Sequence, residues 1–289
     1  MIVKILDILI AGLLMGGIYS LIAVGFSLQY GVARVLNVSH GEFIMIGAFV
    51  TWLLFTAFDI NPLVSVAICG PFVFAIGYLL YRTVYTRLRN ISPSVGAFEG
   101  SSMLASFGLL FIIQNLAIIV WGTDVKAYAF LAFPVKILGA KFAANRLMTL
   151  GMAVIIGVVF YLFLTHTRMG KAIRAAAQDP VTAGFMGVNI KQVLAICYGL
   201  GALMAGFAGL LISMSYPLSP TMGLEYTVIA MIVVVLGGLG SIPGSFVGGL
   251  ILGLVGSIVT SFEPGLSLPA YYVLFMLLLI VKPAGILGK

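Results

Sequence analysis

Positions 36–49 read LNVSHGEFIMIGAF, and within them Asn37, Ser39, His40 and Glu42 set an amide, a hydroxyl, an imidazole and a carboxylate between two long apolar runs. These groups donate and accept hydrogen bonds, and Gly41 among them allows a helix to break or two backbones to approach closely. The knot suits a hinge or the wall of a translocation path, with His40 and Glu42 bonding to an opposing polar break or to a partner subunit. It does not suit a metal. Apart from Glu42 beside His40, neither His40 nor His166 has a His, Cys or carboxylate partner at zinc-ligand spacing. Cys69 and Cys197 fall inside apolar runs and read as small buried filler.

A second polar, glycine-interrupted stretch, LGGLGSIPG at 236–244, contains Gly237, Gly238, Gly240, Ser241, Pro243 and Gly244. It lies in the opposite half of the chain and, like the first, follows one apolar run and leads into another. Interrupted segments at corresponding places in two halves point to a transporter's internal repeat and its permeation region. The plainer alternative is a pair of interfacial turns, which Gly, Pro, Asn and Ser favour in any case.

The third polar region is the connection 166–192. Lys171, Ala172, Arg174, Ala175, Ala176 and Ala177 favour a helix, Asp179 then reads as an N-cap with Pro180 at the first helical position, and Gly187 fits the end of the second helix. Two short helices joined near Gln178 form a knob that fits a partner's groove, or else an amphipathic loop resting on headgroups. The Gly-Lys pair in TRMGKAIR at 167–174 lacks the glycine-rich loop of a phosphate-binding site. With no nucleophile elbow, kinase set or dinucleotide fingerprint either, the chain is expected to bind no cofactor and hydrolyse no ATP by itself.

The elements that carry these residues follow from composition. Of 289 residues, 62% are hydrophobic and 8% charged, against about 25% charged in a soluble domain, and mean hydropathy is +1.22. A bilayer is the solvent, and an all-α polytopic bundle forming one domain over 1–289 follows from the need to satisfy every backbone group internally. Spans are placed near 5–31, 41–57, 62–81, 100–121, 147–165, 192–214, 222–238, 244–260 and 268–281. Eight to ten is the expected number once half-helices are counted, with one half-helix expected among the last three. Only Asp7, Glu42 and Glu225 put charge inside these bounds, each near an end. The first apolar run continues past Val24 without a convincing cleavage site, so a retained helix is expected.

Ten basic residues from Arg34 to Lys289 fall on one set of connections, and Lys4, Lys126, Lys136, Lys141 and Arg146 on the other. The positive-inside rule makes the first set cytoplasmic, together with the C-terminus. The net charge of +7 is accounted for by basic loops at anionic headgroups and gives no case for nucleic-acid binding. Small residues four apart, as in Gly12 with Gly16, Gly201 with Ala205 and Gly209, Gly244 with Gly248 and Gly249 with Gly253, read as helix-packing sites. The external loop 122–146 mixes aromatic, glycine and basic residues and is expected to form a small hairpin, either a docking surface or a cap over the bundle.

GIYSLIAVGFSLQYGVARVLNVSHGEFIMIGAF resembles the opening of the branched-chain amino acid permease family of ABC importers. RAAAQDPVTAGFMGVNIKQV resembles its cytoplasmic coupling segment, GGLGSIPGSFVGGLILG its late glycine-rich stretch, and KPAGILGK its basic-Pro-x-Gly ending, with Lys282 where Arg is common. The blocks run in the family's order along the whole chain, and length and opening motif are similar to the LivH-type subunit. The resemblance implies alternating access beside a related LivM-type permease, two ATPase subunits that bind ATP and Mg, and an extracytoplasmic binding protein, in a bacterial or archaeal inner membrane. It places Arg174, Ala175, Gln178, Asp179, Pro180 and Gly187 at the coupling contact. The cargo it implies is a branched-chain or other neutral amino acid, with urea, short amides and aromatic acids also within the family's range. Two readings from other classes stand beside it: an ion-coupled secondary carrier using Glu42 or Glu225, and a non-transporting membrane scaffold.

Overall fold

A computed structural model describes residues 2–137 and 140–288; Met1, Leu138 and Gly139 of the loop 122–146, and Lys289 of the C-terminal motif, lie outside the described residues. Helix α1 is Ile2–Gly31, α2 His40–Phe58 and α3 Pro62–Leu80, which continues through a π-helical turn, Tyr81–Tyr85, into α4, Thr86–Ile91. After α5 (Val95–Trp121), strands β1 (Pro134–Ile137) and β2 (Ala140–Ala143) pair antiparallel, as the expected hairpin. Then come α6 (Ala144–His166), α7 (Arg168–Gln178), α8 (Pro180–Phe185), α9 (Ile190–Ser213), α10 (Gly223–Gly237), α11 (Ile242–Thr260) and α12 (Ser267–Val281).

Eight helical segments among the described residues are long and apolar enough to cross a membrane, and α10 is a shorter apolar helix. Fifteen residues rise roughly 22 Å, less than the ~30 Å hydrocarbon core, and unlike α12, which a preceding turn extends to an 18-residue segment, α10 is the short helix among the last three spans. The two largest boundary differences from the sequence reading lie around α4 and α5. The third span runs on to Ile91 and α5 starts at Val95, where Ser94 accepts from the Ala97 N–H as an N-cap. These bounds bring Arg82, Arg87, Arg89 and Glu99 into helices, as those of α1, α6 and α9 bring Lys4, Arg146 and Lys191. Charge inside helices is therefore not confined to Asp7, Glu42 and Glu225.

The core is built mainly from the buried faces of α1, α2, α9 and α10. Glycines set its spacing: Gly16 lies against Leu250 and Gly253 of α11, Gly201 against Gly25 and Gln29 of α1, and Gly206 and Gly209 against Val73 of α3 and Ile44 of α2. Most of the small-residue positions singled out in the sequence thus serve helix packing. Cys69 and Cys197 are free and buried. The chain's ends lie at opposite ends of the bundle. Gly31 touches Gly240, and the tail docks there through Ile286 N–H to Leu236 C=O at 2.8 Å and Leu287 N–H to Gly237 C=O at 3.0 Å. Asp7 lies at the other end, around a hollow shared with Thr260 and Ser267.

Candidate functional site

α1 ends at Gly31, but α2 does not start at the same level. His40 Nε2 lies 3.1 Å from the carbonyl of Ile22, nine residues back along α1 and so roughly 14 Å inside its end. Between them the chain runs back into the bundle without helical structure, and its backbone groups need partners there. Two serines of α5 supply them. The Leu36 N–H donates to Ser102 Oγ at 3.2 Å and the Val38 N–H to Ser106 Oγ at 2.9 Å.

The polar knot closes on itself and on α1. Asn37 Nδ2 donates to Gln29 Oε1 at 2.9 Å, Asn37 Oδ1 accepts from the Ser39 N–H and hydroxyl, and His40 Nδ1 lies 3.0 Å from Gln29 Oε1. Gln29 Nε2 in turn donates to the Tyr198 carbonyl of α9 at 3.1 Å. Asn37, Ser39, His40 and Glu42 are all fully buried.

The same arrangement recurs upside down. α9 ends at Ser213 at the opposite end of the bundle, the segment 214–222 returns inward, and α10 starts inside at Gly223. The two inner helix starts touch: a Cβ on Gly41 would overlap the Gly223 carbonyl, and a Cβ on Gly223 would overlap the Glu42 carboxylate. α10 completes the first turn of α2. Thr227 of α10 accepts from the Gly41 N–H at 2.8 Å, a cap that Ser39 does not provide. The Glu42 carboxylate faces the first residue of α10, and neither of its oxygens has a hydrogen-bond partner among the described residues. The positive end of the α10 dipole is the compensation at hand for a buried acid there.

This geometry corrects three expectations. The counterpart of the first break is 214–223 rather than 236–244, because α10 separates Gly223 from Gly237 by roughly 21 Å. His40 bonds within its own half and Glu42 faces Gly223, so neither side chain reaches the second break. Glu42 lies near a helix end and is nonetheless fully buried, since α2 begins inside the bundle. The second break serves instead as a turn and anchor: Ser241 caps α11 at the Gly244 N–H, Pro243 sits in its first turn, Gly237 packs on Gly244, and Gly238, at φ 105°, takes the tail against its backbone. Sequence reasoning missed Gln29, Ser102, Ser106, Gly223 and Thr227, which carry no motif of their own.

Beyond α6, the knob has the expected form. Asp179 caps α8 through the N–H groups of Val181 and Thr182 and accepts from the Thr182 hydroxyl, and Gly187 follows at φ 86°. α7 packs inward through Ile173 and Ala176. Arg174 donates to the Thr165 carbonyl at 3.2 Å and so tethers α7 to the end of α6, while Gln178, Asp179 and Pro180 are exposed and Ala175 is half-buried. The tip is apolar: Val181, Phe185 and Met186 are 65%, 87% and 82% exposed. At the opposite end the connection between α5 and β1 braces 214–222 through paired Lys126 and Leu218 backbones, and the Tyr128 ring packs against Phe55 of α2 with centroids 4.7 Å apart.

Over residues 8–282 the chain matches the family described as branched-chain amino acid transport system / permease component. It is 31% identical to the high-affinity branched-chain amino acid transport system permease protein LivH of Salmonella typhimurium, across 96% of this chain and 94% of that one. It is 30% identical to the corresponding permease protein BraD of Pseudomonas aeruginosa, across 97% and 95%. A shorter likeness, 34% identity over 35% of each chain, joins it to the ribose import permease protein RbsC of Escherichia coli. No solved structure matches it.

Proposed function

The chain belongs to the branched-chain amino acid transport permease family, and from that premise we propose that it is the membrane-spanning subunit of a binding-protein-dependent ABC importer, moving branched-chain or other neutral amino acids by alternating access. The observation that carries the translocation mechanism is the meeting of the inner starts of two helices, α2 and the short α10, at Gly41 and Gly223 inside the bundle. Broken helices whose inner ends meet near mid-membrane supply a pivot and a polar patch in an otherwise dry core.

Its partners in this reading are a related permease, two ATPase subunits holding ATP and Mg, and an extracytoplasmic binding protein. The basic end, which carries the knob, faces the cytoplasm of a bacterial or archaeal cell. The exposed apolar tip at Val181, Phe185 and Met186 inserts into an ATPase groove, with Gln178, Asp179 and Pro180 along its rim. Closure of the ATPase dimer then moves α7, which packs on α6 and α9. α9 passes the motion to the knot through Tyr198 and Gln29 and through Gly209 against α2. At the other end, a binding protein docked on the external loop bears on α2 and on 214–222 together. The unpartnered Glu42 is the observation that favours an ion-coupled carrier; the family match along the chain weighs against it.

The cap on α8 tests the coupling. Hydrogen bonds from the Thr182 hydroxyl and from the Thr182 and Val181 N–H groups hold the Asp179 carboxyl below the usual carboxylate range. A lowered pKa keeps the cap ionised at neutral pH and loses it only as pH falls through that lowered value. Asp179→Ala is expected to weaken the stimulation of ATP hydrolysis by the loaded binding protein, and Asp179→Asn, which keeps the acceptor, to restore most of it. Unchanged stimulation in Asp179→Ala would remove the knob from the coupling path.

A further inference from the structure

At the end of the bundle opposite the knob lies a cavity of about 440 Å³ whose walls carry Asp7 of α1, Arg146 of α6 and Glu225 of α10, with Tyr19, Tyr216 and Tyr271 between them. None of the three charged groups belongs to an ion pair among the described residues, where the pairs are Arg34 with Glu99 and Lys126 with Asp124. The Tyr19 and Tyr271 hydroxyls lie 3.5 Å apart, with the rings edge to face. A second hollow of about 370 Å³, walled by Leu21, Val24, Phe160 and Phe246, carries no charge and offers nothing to a polar solute.

We propose that the charged cavity is the receiving site for a zwitterionic aliphatic α-amino acid. Arg146 takes the carboxylate, Asp7 and Glu225 take the ammonium, and the tyrosine rings hold the aliphatic side chain; the assignment rests on the amino acid transport reading above. A guanidinium presents a planar fork to a carboxylate, and an ammonium needs several acceptors, which two carboxylates and the hydroxyls supply. A purely anionic or purely cationic solute would leave groups of one sign unmatched, so the set selects for both charges on one molecule. The site also adjoins the contact between α2 and α10. Glu225 stands in the first turn of α10, two residues from the Gly223 that touches Gly41, so an occupant drawn to Glu225 bears directly on that contact.

The test uses the full transporter in nanodiscs without binding protein, in a Cys69→Ala, Cys197→Ala background carrying Ser261→Cys at the cavity wall. L-leucine is expected to slow labelling by a membrane-impermeant thiol reagent severalfold. Leucinamide, which lacks the carboxylate, and 4-methylpentanoate, which lacks the ammonium, are expected not to. Arg146→Gln should abolish protection and Arg146→Lys should recover part of it. Equal protection by all three compounds, or by none, overturns the site while leaving the transport reading intact if ATP-driven leucine uptake by the same complex persists. Absence of that uptake in the unmodified complex strikes instead at the reading on which the site rests.

Discussion

Gly41→Ala is expected to reduce ATP-driven uptake at least about tenfold, the equivalent of ~1.4 kcal/mol in the barrier, while the subunits still assemble. The added methyl overlaps the Gly223 carbonyl, which is backbone and cannot rotate away as a side chain would. α2 cannot retreat either, because Gly47 on the same helix is already in backbone contact with Gly206 of α9. Overpacking of this kind costs about 1–3 kcal/mol, and here the strain falls on the pivot where the starts of α2 and α10 meet. Gly108→Ala is the control: nothing stands near that position, and the change favours the helix. The comparison is initial uptake rate at equal complex in proteoliposomes, and rates for Gly41→Ala within twofold of the parent would mean that the contact is not a pivot.

The double replacement Ser102→Ala, Ser106→Ala is expected to destabilise the protein heavily and disorder the segment after α1. It leaves the Leu36 and Val38 N–H groups without acceptors inside the bundle, at about 1–3 kcal/mol for each buried donor, with little water available to take over. Thermal unfolding of the detergent-purified subunit should shift down clearly for the pair and about half as far for either single change. A pair as stable as the parent would mean that 32–39 finds other partners.

Helix existence and order were legible because each span is a long apolar run, and the bilayer makes such runs unambiguous. The knob was legible for another reason: Asp179, Pro180 and Gly187 each have a local backbone role that can be read without neighbours. The inner half of the site was not. Gln29, Ser102, Ser106 and Thr227 are ordinary polar residues in apolar helices, and only the return of 32–39 into the bundle gives them work. Glycine density points to 236–244 as the partner of the first break, yet the glycines there serve a turn and a docked tail. The true counterpart, MSYPLSPTMG, is marked by two prolines and polar residues and has one glycine, the one that touches Gly41.

Uptake into proteoliposomes tests most directly whether this chain conducts amino acids only under the drive of partner ATPases. The full assembly, supplied with its loaded binding protein on one side and ATP on the nucleotide-accessible side, is predicted to accumulate leucine. The isolated chain is predicted to accumulate none under an imposed proton or sodium gradient. Gradient-driven accumulation by the isolated chain, with Glu42→Gln abolishing it, would contradict the account and make the buried carboxylate an ion site.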